Sequence, residues 1–585
     1  MKQREQELEL HFCKVREAGK MFFDLALDAE KKIIICSDMY LPMRTIEQIL
    51  EKAGYSGYYK LYVSSEVMLT KATGNLFKYV QKDLKCKKAA MFLHIGDNWD
   101  SDVVKPQSLG WKTGHMSKAV DLLRNYNPGN YSGEGFNRIW GNNGQQTDYL
   151  ECLNSFPGLR NIMGLAATRL FKTPFVSINQ SSDFNADPNF IGYFCFGPHL
   201  LAVSEWILKI AKERNIPTIH FVARDGYILK QTFDMINDSK TTSSYIRLSR
   251  KALILADVNN VEDIYSLYNK LNVLSLSPQK LIGYLAPIIS LKIEQVKEIL
   301  KKNKFFYDRN FKSVSEYKRC IKVLSTYVLD FSLLPAYHND LRKYFEKIIK
   351  PGDFIFDIGY SGRAEAALSN ILGFPVGCLY IHVNSDLAEK RQRKYNCPCE
   401  CFYDYKPDIT GVMREHLMME LGPSTIGYEK ANGTLTPKFE PYEENYTSDI
   451  ITRAVQNSAI SFVQDYCSIF GVFKDSIVLP LQVMSAPFEY YLHYSKAFDR
   501  QLFSTLPFED SLNQCNSFAA LDFWNQEIYN HGLQLHQGMM NGSPAPISPY
   551  SDGLFMKFYN FINKHFPKGG KKREFAKKIA KIFLR

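Results

Sequence analysis

No run of about 18 uninterrupted apolar residues occurs anywhere in the chain, so no membrane-spanning helix is expected. The first residues, Met1-Lys2-Gln3-Arg4-Glu5-Gln6-Glu7, lack the apolar centre of a secretory signal, and the protein is expected to stay in the cytoplasm. No internal repeat of fixed period is visible, which excludes a solenoid or propeller. Cysteine pairing is also missing. The twelve cysteines are scattered through apolar segments, as at Cys36, Cys195 and Cys378, and read as small buried hydrophobes in a reducing compartment. One cluster stands apart, Cys397-Pro398-Cys399-Glu400-Cys401, but zinc sites usually need a second pair elsewhere and none is visible. Charge of one sign is scarce over most of the chain. Of the formal +11, +9 lies in Lys557–Arg585, which holds ten Lys or Arg and one Glu. The near-neutral remainder argues against a nucleic-acid-binding body.

What is present is a core-forming composition, 45% apolar and 14% aromatic over 585 residues, enough for about three domains. The most informative stretch is Lys31–Met116. Its apolar run Ile33-Ile34-Ile35-Cys36 ends in Ser37-Asp38, and a second, Met91-Phe92-Leu93-His94-Ile95, ends in Gly96-Asp97-Asn98-Trp99-Asp100-Ser101-Asp102. Lys71 lies between them. Short apolar runs that stop at polar clusters, with helical patterns between, read as buried parallel strands. Their polar residues then fall at the carboxyl ends, where open α/β sheets place ligands. There the Ser37 hydroxyl and amide can hold phosphate oxygens, and Lys71 can neutralise a phosphoryl group. Asp97 and Asp102 offer the hard oxygen ligands that Mg²⁺ prefers.

In order and in wording, Ser37-Asp38-Met39-Tyr40-Leu41-Pro42, Lys71 and Gly96-Asp97-Asn98 with Asp102 resemble the second, third and fourth motifs of the haloacid dehalogenase (HAD) superfamily of phosphotransferases and hydrolases. The resemblance implies a nucleophilic aspartate in an Asp-x-Asp pair at the end of a first, central strand, between the strands that carry Ser37 and Asp97. Nothing before Lys31 supplies it. In Phe22-Phe23-Asp24-Leu25-Ala26-Leu27-Asp28 the carboxylates are four apart, and Leu8, Phe12, Val15, Phe22 and Leu25 follow one face of a helix. The expectation is a start placed after the first strand or, less favoured, a degenerate domain whose gap another segment fills. Loss of a central strand leaves two neighbours with unpaired N–H and C=O groups.

Asn125–Asp148, rich in Asn, Gly and Ser, reads as a linker. A second α/β unit follows. Ile219-His220-Phe221-Val222-Ala223 ends in Arg224-Asp225-Gly226, and Tyr245-Ile246-Arg247-Leu248 ends in Ser249-Arg250. Phe354-Ile355-Phe356-Asp357-Ile358 leads into Gly359-Tyr360-Ser361-Gly362-Arg363, and Gly377–Val383 is a further strand. These ends can converge at one sheet edge. Gly359 and Gly362 would let backbone approach a ligand, and the following helix N-terminus would favour an anion. Arg224, Arg250 and Arg363 are forked donors to phosphate or carboxylate, with Asp225 and Asp357 as base, metal or hydroxyl ligands. Tight turns and structural ion pairs explain the same residues equally well.

Over roughly Leu8–Tyr428, including Glu420-Leu421-Gly422-Pro423-Ser424, the chain resembles predicted bacterial HAD proteins linked or fused to glycosyltransferases of surface-polysaccharide assembly. This implies a sugar-phosphate or nucleotide-sugar ligand and polysaccharide-assembly glycosyltransferases as partners. From Lys430 to about Gly542 the pattern reads as mostly helical, with His531 and His536 more plausible as packing residues than as ligands. The tail carries two apolar stripes, Phe555-Phe558-Tyr559-Ile562-Phe566 and Phe575-Ile579-Phe583, with basic residues on the other faces. It fits the inner surface of an anionic membrane, the favoured reading over a solvated helix packed on its own domain.

The expected architecture is α/β: a HAD-like Rossmannoid parallel sheet lacking its first strand (1–124), a linker (125–148), a second α/β domain (149–430), a helical region (431–545) and a basic amphipathic tail (546–585). The expected activity is Mg²⁺-dependent sugar-phosphate hydrolysis in a full-length form, with no turnover by the chain as written. The alternatives are a glycosyl- or phosphoglycosyl-transferase or nucleotide-sugar binding module centred on the second domain, or a scaffold.

Overall fold

A computed structural model describes residues 2–125, 157–177, 181–249, 251–269, 273–359, 362–381, 392–403, 412–442, 446–504, 506–508 and 518–519. Nearly all of the linker, Arg250, Tyr360-Ser361, the His531/His536 segment and the basic tail lie outside the described residues. The chain is mixed α/β and divides into two units. The first contains the described residues up to 185 together with 461–480, and the second the remainder.

In the first unit, Ile34–Ser37 (β1) pairs in parallel with Lys60–Val63 (β2), and Leu93–Gly96 (β3) pairs in parallel with Lys112–His115 (β4). These are two separate two-stranded sheets, and β1 and β3 do not pair with each other. Helix Asn75–Asp83 covers one face of both. Its Leu76, Phe77 and Val80, at positions that share one helical face, pack on Tyr62 and Trp111, with Ile34, Cys36 and Phe92 beside them. The other face of β1 and β2, carrying Ile35, Leu61 and Val63, lies under Ile46 of helix Met43–Lys52. β4 was not expected from the sequence, because Lys-Thr-Gly-His has neither an apolar run nor a β-branched pair.

The single N-terminal helix expected from periodicity is two, Lys2–Phe12 and Glu17–Asp28. At the break Arg16 turns extended (φ −96°, ψ 114°), and its Nη1 donates to the Met116 carbonyl at 3.4 Å. Phe12 rests on Phe470 and Phe473, with ring centroids 5.6 and 5.4 Å away. A partner so distant in sequence leaves no local signal.

The second unit is built on a five-stranded, all-parallel sheet of Thr218–Val222 (β5), Thr242–Ile246 (β6), Phe354–Asp357 (β7), Gly377–Tyr380 (β8) and Cys399–Cys401 (β9), in the order β6-β5-β7-β8-β9. The core strands are apolar runs buried on both faces, as the sequence leads one to expect. The fifth strand is a correction, since the Cys399-Glu400-Cys401 cluster is an edge strand in register with Cys378–Tyr380. Among the described residues no group of three or more His, Cys, Asp or Glu is arranged to hold a metal. A second correction concerns the region from Lys430 onward. Thr425–Ala431 (β10) and Thr434–Phe439 (β11) form an antiparallel hairpin, joined by Asn432 and Gly433 with φ +50° and +77°. Asn-Gly is the strongest short hairpin signal, and it outweighs the helical pattern at this point.

Among the described residues one helical stretch, Pro188–Arg214, is long and apolar enough to cross a membrane, with a mean hydropathy of 1.2 over its most apolar window. That window is 94% buried within the protein, as befits a core helix.

Candidate functional site

At the carboxyl ends of β1 and β3 the first unit brings Lys71 and Asp102 together. Lys71 Nζ lies 2.6 Å from Asp102 Oδ1, with the two side chains 13% and 1% exposed. His94 Nε2 shares the same oxygen at 3.0 Å, and the Asn98 amide donates to Oδ2 at 3.0 Å. Burial alone would raise the Asp102 carboxyl. Hydrogen bonds from His94 and Lys71, the Lys71 charge and the Asn98 amide outweigh it, and hold the group far below the usual carboxylate range. Room for this carboxylate depends on Gly96, where an added Cβ would meet Asp102 Cγ at 2.4 Å.

Asp38 fastens the Lys71 loop, accepting from the amides of Lys71 at 2.8 Å and Ala72 at 3.3 Å. Ser37 ends β1, and its hydroxyl has no hydrogen-bond partner among the described residues. Asp97 lies outside the buried pair. It is 42% exposed, with Lys118 Nζ at 3.2 Å from Oδ2. The structure therefore groups Lys71 with Asp102, and leaves Asp97 at the rim. A hydrated cation can reach Asp97 directly. At Asp102 three donors already share the carboxylate, Lys71 and His94 on Oδ1 and the Asn98 amide on Oδ2, so a cation there would compete with them. Sequence reasoning missed His94 and Asp38, although Asp38 directly follows Ser37.

In the second unit the chain runs from β5 outward to β6, then returns to β7 on the other side of β5 and continues to β8 and β9. The direction of winding reverses between β5 and β7. Open α/β sheets leave a crevice at such a point, outside the strand ends. Arg224 and Asp225 follow β5, while Asp357, Gly359, Gly362 and Arg363 follow β7, so these six flank the reversal. Gly359 (φ +141°) and Gly362 (φ +63°) take conformations that side chains disfavour, immediately before helix Arg363–Leu372.

Much of the charge beside this crevice already has partners. Arg224 Nη1 donates to the Gly422 carbonyl at 2.8 Å. Arg247 grips Glu420 with both terminal nitrogens, Nη2 at 2.9 Å from Oε1, and the Tyr245 hydroxyl donates to the same carboxylate at 3.0 Å. Burial, followed by the Glu420 charge, pushes the Tyr245 phenol well up. Lys251, 4% exposed, reaches Glu440 at 3.0 Å. Together these contacts fasten the segment through Glu420 and Gly422 and the hairpin's end over β5 and β6. In the first turn of helix Arg363–Leu372, Glu365 is fully buried and accepts from the Tyr380 hydroxyl, placing a carboxyl group of the chain's own near that helix N-terminus. Arg247, Lys251, Glu365, Glu420 and Glu440 were not among the site residues expected from sequence; the partners of all but Glu365 lie more than 170 residues along the chain.

Comparison with models of known protein families finds no match to this chain, and neither does comparison with curated proteins.

Proposed function

We propose that this chain is a HAD-like, phosphate-handling protein of surface-polysaccharide assembly whose first unit holds the phosphoryl group of a sugar phosphate. The observation that carries the reading is the Lys71 ammonium, held by Asp102 in a loop that Asp38, the neighbour of Ser37, fastens. An ammonium has three donors, so one held by a carboxylate can still meet a phosphate oxygen. Asp97 is the exposed carboxylate that could hold a hydrated Mg²⁺, which would supply further positive charge for a bound phosphate.

Covalent transfer of the HAD type needs an aspartate free to attack. In the described residues around Lys71, Asp38 is bound to two amides, Asp102 to Lys71 and His94, and Asp97 to Lys118. Binding without turnover is the expected behaviour of these 585 residues. Titration calorimetry with inorganic phosphate, with and without Mg²⁺, is expected to show saturable binding that Lys71→Met weakens tenfold or more. Absence of phosphate binding would refute the reading. Hydrolysis of p-nitrophenyl phosphate that Asp97→Ala abolishes would overturn its non-catalytic part.

A second reading, a nucleotide-sugar site, is favoured by the reversal of winding between β5 and β7 together with the glycine pair at 359 and 362. UDP-glucose is expected to bind the full chain, to bind Asp97→Ala equally well and to lose at least tenfold in affinity to Asp225→Ala. Equal binding by Asp225→Ala and the parent would rule it out.

A further inference from the structure

We propose that a cleft at the carboxyl end of helix Asn75–Asp83 binds a compact polyanion, a ligand with two or more linked phosphate groups. This stands on the cleft alone and holds whether or not Lys71 grips a phosphoryl group.

The helix has two faces. Leu76, Phe77 and Val80 are buried in the core of the first unit. Lys78, Gln81 and Lys82 lie on the other side, at the spacing of three and four that stacks side chains along one face. Lys85 extends that row by one turn. Its backbone is left-handed (φ +51°), which ends the helical path and sets Cys86 and Lys87 beside the row. These six residues line an open cleft of about 430 Å³, within the size range of small-ligand sites.

Four of the six are lysines and none is acidic. Lys78 Nζ meets the neutral Asn75 side chain at 3.5 Å, and among the described residues none of the four lysines has an ion-pair partner. Asp83, the one carboxylate of the helix, is held by Lys60 Nζ at 2.7 Å and by the Tyr62 hydroxyl at 2.6 Å. The negative end of the helix dipole favours Lys82 and Lys85. It does not account for Lys78, in the first half of the helix, whose ammonium repels that of Lys82 four residues on. A bound anion replaces this repulsion with attraction.

The lining selects the anion. It offers ammonium donors, no aromatic ring to stack a base and no carboxylate to hold sugar hydroxyls, and Gln81 Oε1 already accepts from Trp111 Nε1 at 3.2 Å. A compact cleft of that volume is about 7–8 Å across. An extended acidic peptide presents carboxylates to one side at every second residue, so three of them span about 13 Å at about 3.3 Å per residue. Linked phosphates carry as many charges within the cleft. A lipid surface offers phosphates too, but it is flat, and Cys86 is less exposed than the lysines around it.

Cys86 makes the site readable. The test follows alkylation of the full chain by iodoacetamide, residue by residue, by peptide mass spectrometry, with and without sodium pyrophosphate. Pyrophosphate is expected to slow alkylation of Cys86 at least threefold and saturably, and to leave Cys13 unchanged. Lys82→Gln with Lys87→Gln, two exposed positions whose substitution leaves the circular dichroism as it is, is expected to abolish the protection. Lys71→Met is expected to keep it. Loss of inorganic-phosphate binding in that variant reports on the phosphoryl reading, so the two can fail separately. No protection of Cys86 by millimolar pyrophosphate overturns the proposal, as does protection that survives in the double variant. Equal slowing by sodium sulfate at the same ionic strength overturns it as mere screening. Protection by phosphatidylglycerol vesicles without protection by pyrophosphate overturns it as well, and assigns the lysines to a lipid surface.

Discussion

Lowering the pH from 7 towards 4 is expected to unfold the second unit through two histidines that folding keeps neutral. His199 and His416 are buried. Burial, with the Arg414 charge acting on His199 and the Arg224 charge on His416, pushes both down to about 3. Among the described residues His199 Nδ1 meets the Ser485 hydroxyl at 3.1 Å and His416 Nε2 the Thr452 hydroxyl at 2.7 Å, and the Glu489 carboxylate, which favours a protonated His199, is outweighed by burial and Arg414. In the unfolded chain each ring takes up a proton near pH 6.5. Below that value the unfolded state gains protons that the folded state refuses, so stability falls as pH falls. The window runs from about 6.5 to about 3. Within it each pH unit removes about 1.4 kcal/mol per histidine, or about 3 kcal/mol for the two. Since a domain is typically stable by about 5–15 kcal/mol, two to three units suffice. Urea unfolding followed by circular dichroism at half-unit steps measures the slope. His199→Gln with His416→Gln is expected to flatten it, at lower stability near pH 7. A parent curve flat between pH 6.5 and 4 would contradict the account.

Those histidines show what the sequence makes legible and what it hides. Buried parallel strands are readable because their residues are apolar at successive positions, and the strands at 34–37, 93–96, 218–222, 354–357 and 377–380 lie within a few residues of their expected places. Of the strands that escaped notice, Lys60–Val63 has an apolar run of only three residues, Leu61-Tyr62-Val63, and two others have none. Lys112–His115 is half polar, and Cys399–Cys401 resembles a ligand cluster more than an edge strand. Site residues followed the same division. Ser37, Lys71, Asp97, Asp102, Arg224, Asp225 and Asp357 sit beside strand ends, a position that apolar runs mark. His94 lies inside a strand, where it reads as filler, and Glu420 meets Arg247 from 173 residues away. Pairing across such distances is decided by the packing of whole elements, which no local pattern encodes.

Replacing Asp102 with alanine is expected to cost the first unit about 3–5 kcal/mol, the usual penalty for stranding a buried charge. Lys71 would keep an ammonium in a pocket where its side chain is 13% exposed, and the His94 ring and the Asn98 amide would lose the acceptor they share. Gly96 adds to the loss, because the space left by its missing side chain is filled by Asp102 itself. The pH dependence separates this effect from that of the histidines. Folding holds the Asp102 carboxyl well below the usual range, so the unfolded chain is the form that protonates first as acid is added. Its contribution is complete above about pH 4, the ordinary aspartate value, and is lost only below it. The first unit should therefore outlast the second between pH 6.5 and 4. Trp111, stacked on Phe92 with ring centroids 4.1 Å apart, lies in the core of the first unit, and in a background where the other four tryptophans are phenylalanine its fluorescence during urea unfolding reports that unit. Asp102→Ala within 1 kcal/mol of the parent would show that the pair is not buried in solution. Combining it with Lys71→Met decides the cause. If the stranded ammonium is responsible, the double variant recovers a large part of the stability, because the charge that needed a partner is gone. If the loss persists undiminished, the carboxylate acts through His94, Asn98 and the space beside Gly96, and its role is to shape the ends of β3 rather than to hold the lysine.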